Sequence, residues 1–405
     1  LKTPDWELYG HHLAGIPFAL LGHNRRMAWG VTMLQNDDLD YYRERANPAN
    51  PYQVWFRDHW EDLKIIEETI SVKGGEENPL RVRISRHGPI INDVVESVEK
   101  TEIQPVALAW EMLKNFENST EQVFYELGHS ESLANSRAAV SKLHAPGLNI
   151  NYGDAEGNIA WWGAARLLIR PEHVNSFVIL DGASGKDEVL GYRDFSENPQ
   201  SENPKSGILF NGNNQPGDTG SGLEPGYYAP EERAHRIGEL LNSEKKNWTA
   251  DEMKSIQLDT KNPRINNFRK HFLTLISENS RRSEVFRNAA DVFKNWDGMH
   301  NIKAAGPTIY HRLFFHLSLG IFADEIEEKG TRVLLNVSLI DKSIPLLLNN
   351  PQSPWWDNVD TPDIRESQAE ILRTAWINAV QSLEKDYGSN VNSWEWGRIP
   401  TLEIK

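Results

Sequence analysis

The chain has 405 residues, enough for one large domain or two to three average ones, and 39% hydrophobic with 25% charged residues is the composition of a folded protein. Its 43 basic and 58 acidic side chains leave a net charge of -15, which repels nucleic-acid phosphates and anionic lipid, and no stretch reaches the roughly 18 uninterrupted apolar residues that span a bilayer. There is no cysteine, which excludes disulfides, thiolate metal sites and cysteine nucleophiles and suits an oxidising compartment such as a bacterial periplasm.

Leu1 is not a start methionine and no signal-peptide pattern follows it, so the chain reads as a fragment or a processed piece. Gly10, Gly15, Gly22 and Gly30 punctuate an apolar run that includes Gly22-His23-Asn24 and Met27 to Met33; glycines so spaced mark tight turns or close backbone approach. Asn36-Asp37-Asp38-Leu39-Asp40 follows. Three carboxylates in four residues repel one another unless solvated or bound to a cation, so the segment is either a solvated acidic turn or a set of hard oxygen ligands suited to calcium, without the spacing of an EF-hand. Ile65 to Val72 reads as a strand, Lys73-Gly74-Gly75-Glu76 as a hairpin turn, and Leu80, Val82 and Ile84 alternate with polar residues as in a half-exposed strand. Arg86 to Ile91 turns the chain into a short apolar strand. Leu148 to Tyr152 and Ile159 to Trp162 make a second strand pair about the turn Asp154 to Asn158. Phe210 to Pro216 ends an apolar strand on three asparagines, Asn211, Asn213 and Asn214. Such a segment is either a plain turn or a source of amide dipoles for an oxyanion.

Near Pro230 the pattern becomes helical. Thr249 with Glu252 fits a capping box, and Leu313 to Ala323 reads as a buried helix. Thr361-Pro362 predicts a helix start, and Ile371, Leu372, Ala375, Trp376, Ala379, Val380 and Leu383 form one apolar stripe closed by Gly388. Trp394 to Gly397 opens a new pattern that stops eight residues later. The expected organisation is a β-rich part over 1–229 and a mainly helical part over 230–405. Strands first and helices second, without βαβ alternation, argue for an α+β fold.

Several motifs carry less than they suggest. Asp218-Thr219-Gly220-Ser221 matches an aspartic-protease loop, but that chemistry needs a second copy, and none exists. The 13 histidines contain no zinc-binding His-Glu-x-x-His. Neither a Gly-x-Ser-x-Gly elbow nor a phosphate-binding loop is present. Of the 14 tryptophans, those in periodic apolar patterns read as core, which leaves Trp161-Trp162 and Trp355-Trp356 open.

Taken together, an ordered set of segments resembles the penicillin acylase family of N-terminal-nucleophile amidohydrolases. It comprises Gly15-Ile16-Pro17, Gly22-His23-Asn24, Ala28 to Thr32, Asp37 to Asp40, Arg86-His87-Gly88-Pro89, Leu108-Ala109-Trp110 and Asp154 to Ile159. It continues through Asn211 to Pro216, Arg233 with Arg236-Ile237, Trp296-Asp297-Gly298, Ser353 to Asp357 and Trp394 to Gly397. The set covers essentially the whole chain, and its order carries more weight than any member.

The resemblance implies a fold of two antiparallel sheets between helical layers, an αββα sandwich with a large helical region. It implies a precursor that cuts itself, an acyl-enzyme on an N-terminal serine whose own α-amine is the base, and an α chain from the same precursor as partner. It also implies a periplasmic or secreted bacterial protein acting on N-acylated small molecules, with penicillins and acyl-homoserine lactones both compatible. Residue by residue, Met33 matches the backbone N–H donor to the oxyanion, Asn213 the side-chain amide donor, and Arg233 an arginine that orients Asn213 and the region near the nucleophile's amine. Asp37, the carbonyl of Leu39 and Asp40 match part of a structural calcium site. The first serine in the chain is Ser71, inside a predicted strand, so the nucleophile is expected upstream of Leu1. A catalytically inactive periplasmic binding protein on the same scaffold is the alternative from another functional class.

Overall fold

A computed structural model describes residues 1–16, 18–114, 120–217, 223–241, 245, 247–279 and 281–399. The chain divides into two compact units, Leu1–Ala229 and Pro230–Lys405. The Asp218-Thr219-Gly220-Ser221 motif and Pro17 lie outside the described residues.

The first unit is built on a six-stranded antiparallel sheet of β1 (Tyr9–His12), β2 (Ala19–His23), β3 (Met27–Met33), β4 (Leu148–Asp154), β5 (Ile159–Ala164) and β6 (Gln200–Glu202), in that spatial order. Its alternation dictates which face is buried. Leu148, Ile150 and Tyr152 of β4 join Met27 and Trp29 of β3 and Ala160, Trp162 and Ala164 of β5 in one core. Helices α1 (Thr120–Gly128) and α2 (Leu133–Val140) cover that face with Val123, Phe124, Leu127, Ala139 and Val140. The alternate residues, Asn149 and Asn151, therefore project to the opposite face. Between β1 and β2 the backbones close up: a Cβ on Gly10 would sit 2.3 Å from the Leu21 carbonyl oxygen, and one on Gly22 would sit 2.4 Å from that of Tyr9. Only glycine permits that approach.

The remaining strands of this unit form smaller sheets. Leu39–Arg43 pairs antiparallel with Val106–Trp110 and parallel with Leu180–Asp181. The predicted hairpin is present as Lys64–Ile70 against Asn78–Ile84, with Lys64 opposite Ile84 and Ile70 opposite Asn78. Arg86 to Ile91 contributes only single bridges, Ile84 to Pro89 and Ile90 to Ala107, rather than the short strand expected. The positive φ of Gly88 and its packing on the Leu108 carbonyl oxygen bend the chain out of strand geometry there.

The second unit is helical, with α3 (Glu232–Leu241), α4 (Glu284–Asn295), α5 (Gly306–Leu334), α6 (Ser338–Leu348) and α7 (Gln368–Tyr387) as its main elements. Its core joins Phe293 and Trp296 to Ile309, Leu313, Leu317 and Ile321 of α5 and to Leu372, Trp376, Val380 and Leu383 of α7. The expected capping box of Thr249 and Glu252 forms, with Thr249 N–H donating to Glu252 Oε2 at 2.9 Å. The start of α7 differs from expectation. Thr361-Pro362 lies in a turn, and Ser367 caps the helix through a reciprocal box with Glu370. Of the predicted apolar stripe, Leu372, Ala375, Trp376, Ala379, Val380 and Leu383 are buried, Ile371 is half-buried at its edge, and Gly388 closes it at φ +82°. The helix backbone of α5 is interrupted at Glu327 (φ 60°, ψ 160°), and no helix among the described residues is long and apolar enough to cross a membrane.

Candidate active site

Met33 ends β3, the strand next to β4 in the sheet. Leu34 N–H donates to the Gly147 carbonyl at 2.9 Å, just past the paired residues Met33 and Leu148. In an antiparallel ladder such bonds alternate, so Thr32 faces β4 with its backbone groups while the N–H and C=O of Met33 point away from it. On that outer side β2 pairs only with Ala28 and Trp29, so among the described residues no strand pairs with β3 at Met33. The Met33 carbonyl oxygen instead accepts two side-chain amides: Asn213 Nδ2 at 2.7 Å and Asn149 Nδ2 at 2.9 Å.

Asn213 reaches this position from a loop 180 residues further on. Its φ is +58°, a left-handed conformation that asparagine tolerates better than most residues. The loop is held by Asn214 Oδ1, which accepts from Gly212 N–H at 3.0 Å, and by the Asn213 carbonyl, which accepts from Ala229 N–H at 2.7 Å. Thr32 Oγ1 donates to Asn211 Oδ1 at 2.8 Å, a second tie between β3 and the loop. Met33 and Asn213, predicted as partners in one function, are thus in hydrogen-bond contact. Arg233 belongs to the second unit, exposed in the first turn of α3.

The acidic segment is not a solvated turn. Asp38 and Asp40 are buried, and Arg170 lies across the segment: its Nε donates to Asp40 Oδ2 at 3.0 Å and its Nη2 to the Asp37 carbonyl at 3.0 Å. Asn36 bridges to Gly226, and Asp37 N–H donates to the Pro225 carbonyl, which brings buried Glu224 to the same region. Glu224 faces Arg193 at 3.3 Å. Burial pushes the Glu224 carboxyl up to about 7 against the opposing pull of Arg193 and Arg170, and the charge of Asp37 adds to the rise. Burial likewise raises Asp40, outweighing Arg170, and raises Asp38. Glu111 N–H donates to the Asp38 carbonyl, so by the same alternation the Leu39 carbonyl points away from the strand Val106–Trp110.

Calcium was the cation implied for this region, and the donor chemistry fits it. Asp37 Oδ2, Asp40 Oδ1 and Glu224 Oε2 are buried oxygens without a hydrogen bond, in a cluster where three carboxylates meet two guanidinium groups. Oxygen donors of this kind suit a hard divalent ion. Among the described residues no three acidic or histidine side chains already close on a single point.

Sequence reasoning passed over Asn149, Glu224 and Arg170. For Asn149 a signal existed, because asparagine is depleted in strands and here sits between Leu148 and Ile150. For Glu224 and Arg170, ordinary surface residue types, none did; only the fold buries them together.

A family model described as penicillin amidase matches residues 1–405. The chain is similar to an acyl-homoserine lactone acylase, QuiP, of Pseudomonas aeruginosa, 27% identical over 431 residues, covering 100% of this chain and 50% of that protein. It is also similar to the penicillin G acylase of Escherichia coli, 24% identical over 423 residues, covering 98% and 48%. It therefore spans about half the length of the curated relatives it matches. Among solved structures, a thermostable penicillin G acylase from Alcaligenes faecalis aligns with a TM-score of 0.75 at 20% identity, over 97% of this chain and 74% of that one.

Proposed function

The chain belongs to the penicillin amidase family and has its α+β N-terminal-nucleophile hydrolase fold, and on that premise we propose that it is the oxyanion-binding part of an N-acyl amide hydrolase. The observation that carries the reading is the pairing of Met33 with Asn213 at 2.7 Å. Two donors of different origin, a strand-end N–H and a loop amide, are assigned there, at the end of β3 where no strand among the described residues pairs on its outer side.

In this reaction a serine upstream of Leu1, the first residue of its processed chain, attacks the amide carbonyl through Oγ while its α-amine takes the proton. The carbonyl oxygen becomes negative, and preorganised N–H dipoles stabilise it more than they stabilise the neutral substrate. The Met33 N–H is one donor. The Asn213 amide carries two hydrogens: one holds the Met33 carbonyl, and the other is assigned to the oxyanion. Collapse of this intermediate breaks the C–N bond, the amine leaves with the proton, and water repeats the attack to release the acid. Arg233 is assigned the orienting role, since a guanidinium fork can fix an amide and its neighbours by several hydrogen bonds.

Asp37, Asp40, the Leu39 carbonyl and Glu224 would hold calcium, a charge-neutralising ion in a structural role. Relatives named as acylases for acyl-homoserine lactones and for penicillin G point to the N-acyl class of substrate. The α chain as partner and the periplasm as compartment follow from the same family reading, and the net charge of -15 and the lack of cysteine are compatible with them.

The test is expression of the complete gene in a bacterial periplasm, with intact mass, N-terminal sequencing and hydrolysis of a panel of N-acyl amides. Two chains, the larger opening with serine upstream of Leu1, together with amide hydrolysis, are the expected result. Replacing Asn213 by alanine should lower kcat about 100- to 1,000-fold, the usual consequence of losing one oxyanion donor. An unchanged kcat would remove Asn213 from the mechanism.

A further inference from the structure

We propose that Asn149 is a positioning residue that aims both oxyanion donors at once, an assignment that rests on the oxyanion reading of Met33 and Asn213. Asn149 is 2% exposed, in the middle of the sheet, opposite Thr32 of β3 and Gly163 of β5. A β-branched residue would suit such a place better, because a buried amide loses its water and needs partners for every group it carries.

Those partners are all supplied. Trp161 Nε1–H donates to Asn149 Oδ1 at 2.9 Å, and an indole N–H can only donate. That contact fixes which way the amide faces: Oδ1 toward Trp161, Nδ2 toward β3. Nδ2 then donates to the Met33 carbonyl at 2.9 Å and reaches Thr32 Oγ1 at 3.3 Å. With its lone pair turned to Asn149, the Thr32 hydroxyl directs its own hydrogen to Asn211 Oδ1 at 2.8 Å.

The consequence is a polar relay with one direction, from Trp161 through Asn149 to the strand end and to the loop. Met33 is held through its carbonyl by two amides, Asn149 from the sheet and Asn213 from the loop. Asn149 thus touches the carbonyl shared with one donor and, through Thr32 and Asn211, tethers the loop that presents the other. Donors work only when aimed at where charge develops, and a misplacement of about 1 Å can cost two orders of magnitude.

The experiment uses the full-length, processed enzyme, with kcat expressed per active site counted by the acyl burst. Asn149→Ala should lower kcat about 10- to 100-fold with KM within about twofold, since the donors act on the transition state more than on the bound substrate. Trp161→Phe keeps the ring and leaves the amide unanchored; it should give a smaller loss of the same kind, and it decides the matter if Asn149→Ala does not fold. Combined with Asn213→Ala, the loss should be clearly less than the product of the two single losses, because both residues act on one site. A plain structural role would lower the active fraction or the Tm and leave kcat per active site within twofold. That result, beside a large loss for Asn213→Ala, overturns the positioning role and leaves the oxyanion reading standing. An unchanged kcat for Asn213→Ala overturns the oxyanion reading and the positioning role together.

Discussion

His87 shows how much one side chain can depend on its fold. It lies buried between two carboxylates, with Nδ1 2.8 Å from Glu44 Oε1 and Nε2 2.6 Å from Glu188 Oε1, and it stacks on Tyr42 at 4.0 Å. Burial is the strongest single influence and works against protonation. The hydrogen bonds to Glu188 and Glu44, with their charges, together outweigh it and raise the imidazole from 6.5 to about 8. A group with its folded value raised stabilises the fold fully below its unfolded value and loses that contribution as pH climbs through the folded one. The expected loss between pH 6.5 and pH 9 is about 2 kcal/mol. Chemical denaturation of the wild type and of His87→Gln across that range should show it as a converging difference; parallel curves would contradict it. The sequence motif marked His87 only as part of a turn, since neither Glu44 nor Glu188 is near it in the chain. Asn213 was legible for the opposite reason. An asparagine-rich stretch after a short apolar run, Ile208 to Phe210, already suggests a left-handed turn with spare amides, although the run is not a strand in the structure. Arg233 was marked by the family resemblance alone, since no local pattern in the sequence singles it out.

At the level of elements, strands and helices were readable wherever hydrophobic period and turn chemistry agreed. The hairpin Lys64–Ile70 with Asn78–Ile84 and the pair β4 and β5 follow directly from alternation. The start of α7 was misread because Thr361-Pro362 matches a cap followed by proline, yet Asp363 to Glu366 carry no helical stripe. Ser367-Gln368-Ala369-Glu370 is the better signal, and there the hydroxyl and carboxylate satisfy the helix's orphan N–H groups reciprocally. Ser367→Ala should therefore destabilise the helical unit by about 1 kcal/mol. Thr361→Ala, which loses its bond to Glu366, should cost less. Thermal denaturation of both variants checks the ranking, and a reversed order would return the cap to Thr361. What no periodicity could reveal was the link between elements, such as the loop of Asn213 landing on the end of β3.

For the whole molecule, the ordered set of short segments carried more than any local pattern, and the family match over residues 1–405 agrees with it. The same excess of acid that leaves the chain at -15 is concentrated in part at half-buried Asp37 and at Asp38, Asp40 and Glu224, whose burial makes it costly. A bound cation would relieve that cost. A calcium ion held there at about a hundred times its dissociation constant would stabilise the folded state by about 2.7 kcal/mol, so chelation should then lower the Tm and Asp40→Asn should blunt the effect. A Tm indifferent to calcium and chelator alike would leave Arg170 and Arg193 as the complete charge balance of the cluster. Gly10 and Gly22 carry a consequence for the gene. Any missense change from a glycine codon adds at least a Cβ, and at these two codons that atom has nowhere to go. Burial alone would rank β1, whose residues are exposed or half-buried, among the freest parts of the sheet to vary. Inheritance should treat it otherwise, with Gly10 fixed in that permissive stretch and Gly22 fixed opposite it in β2.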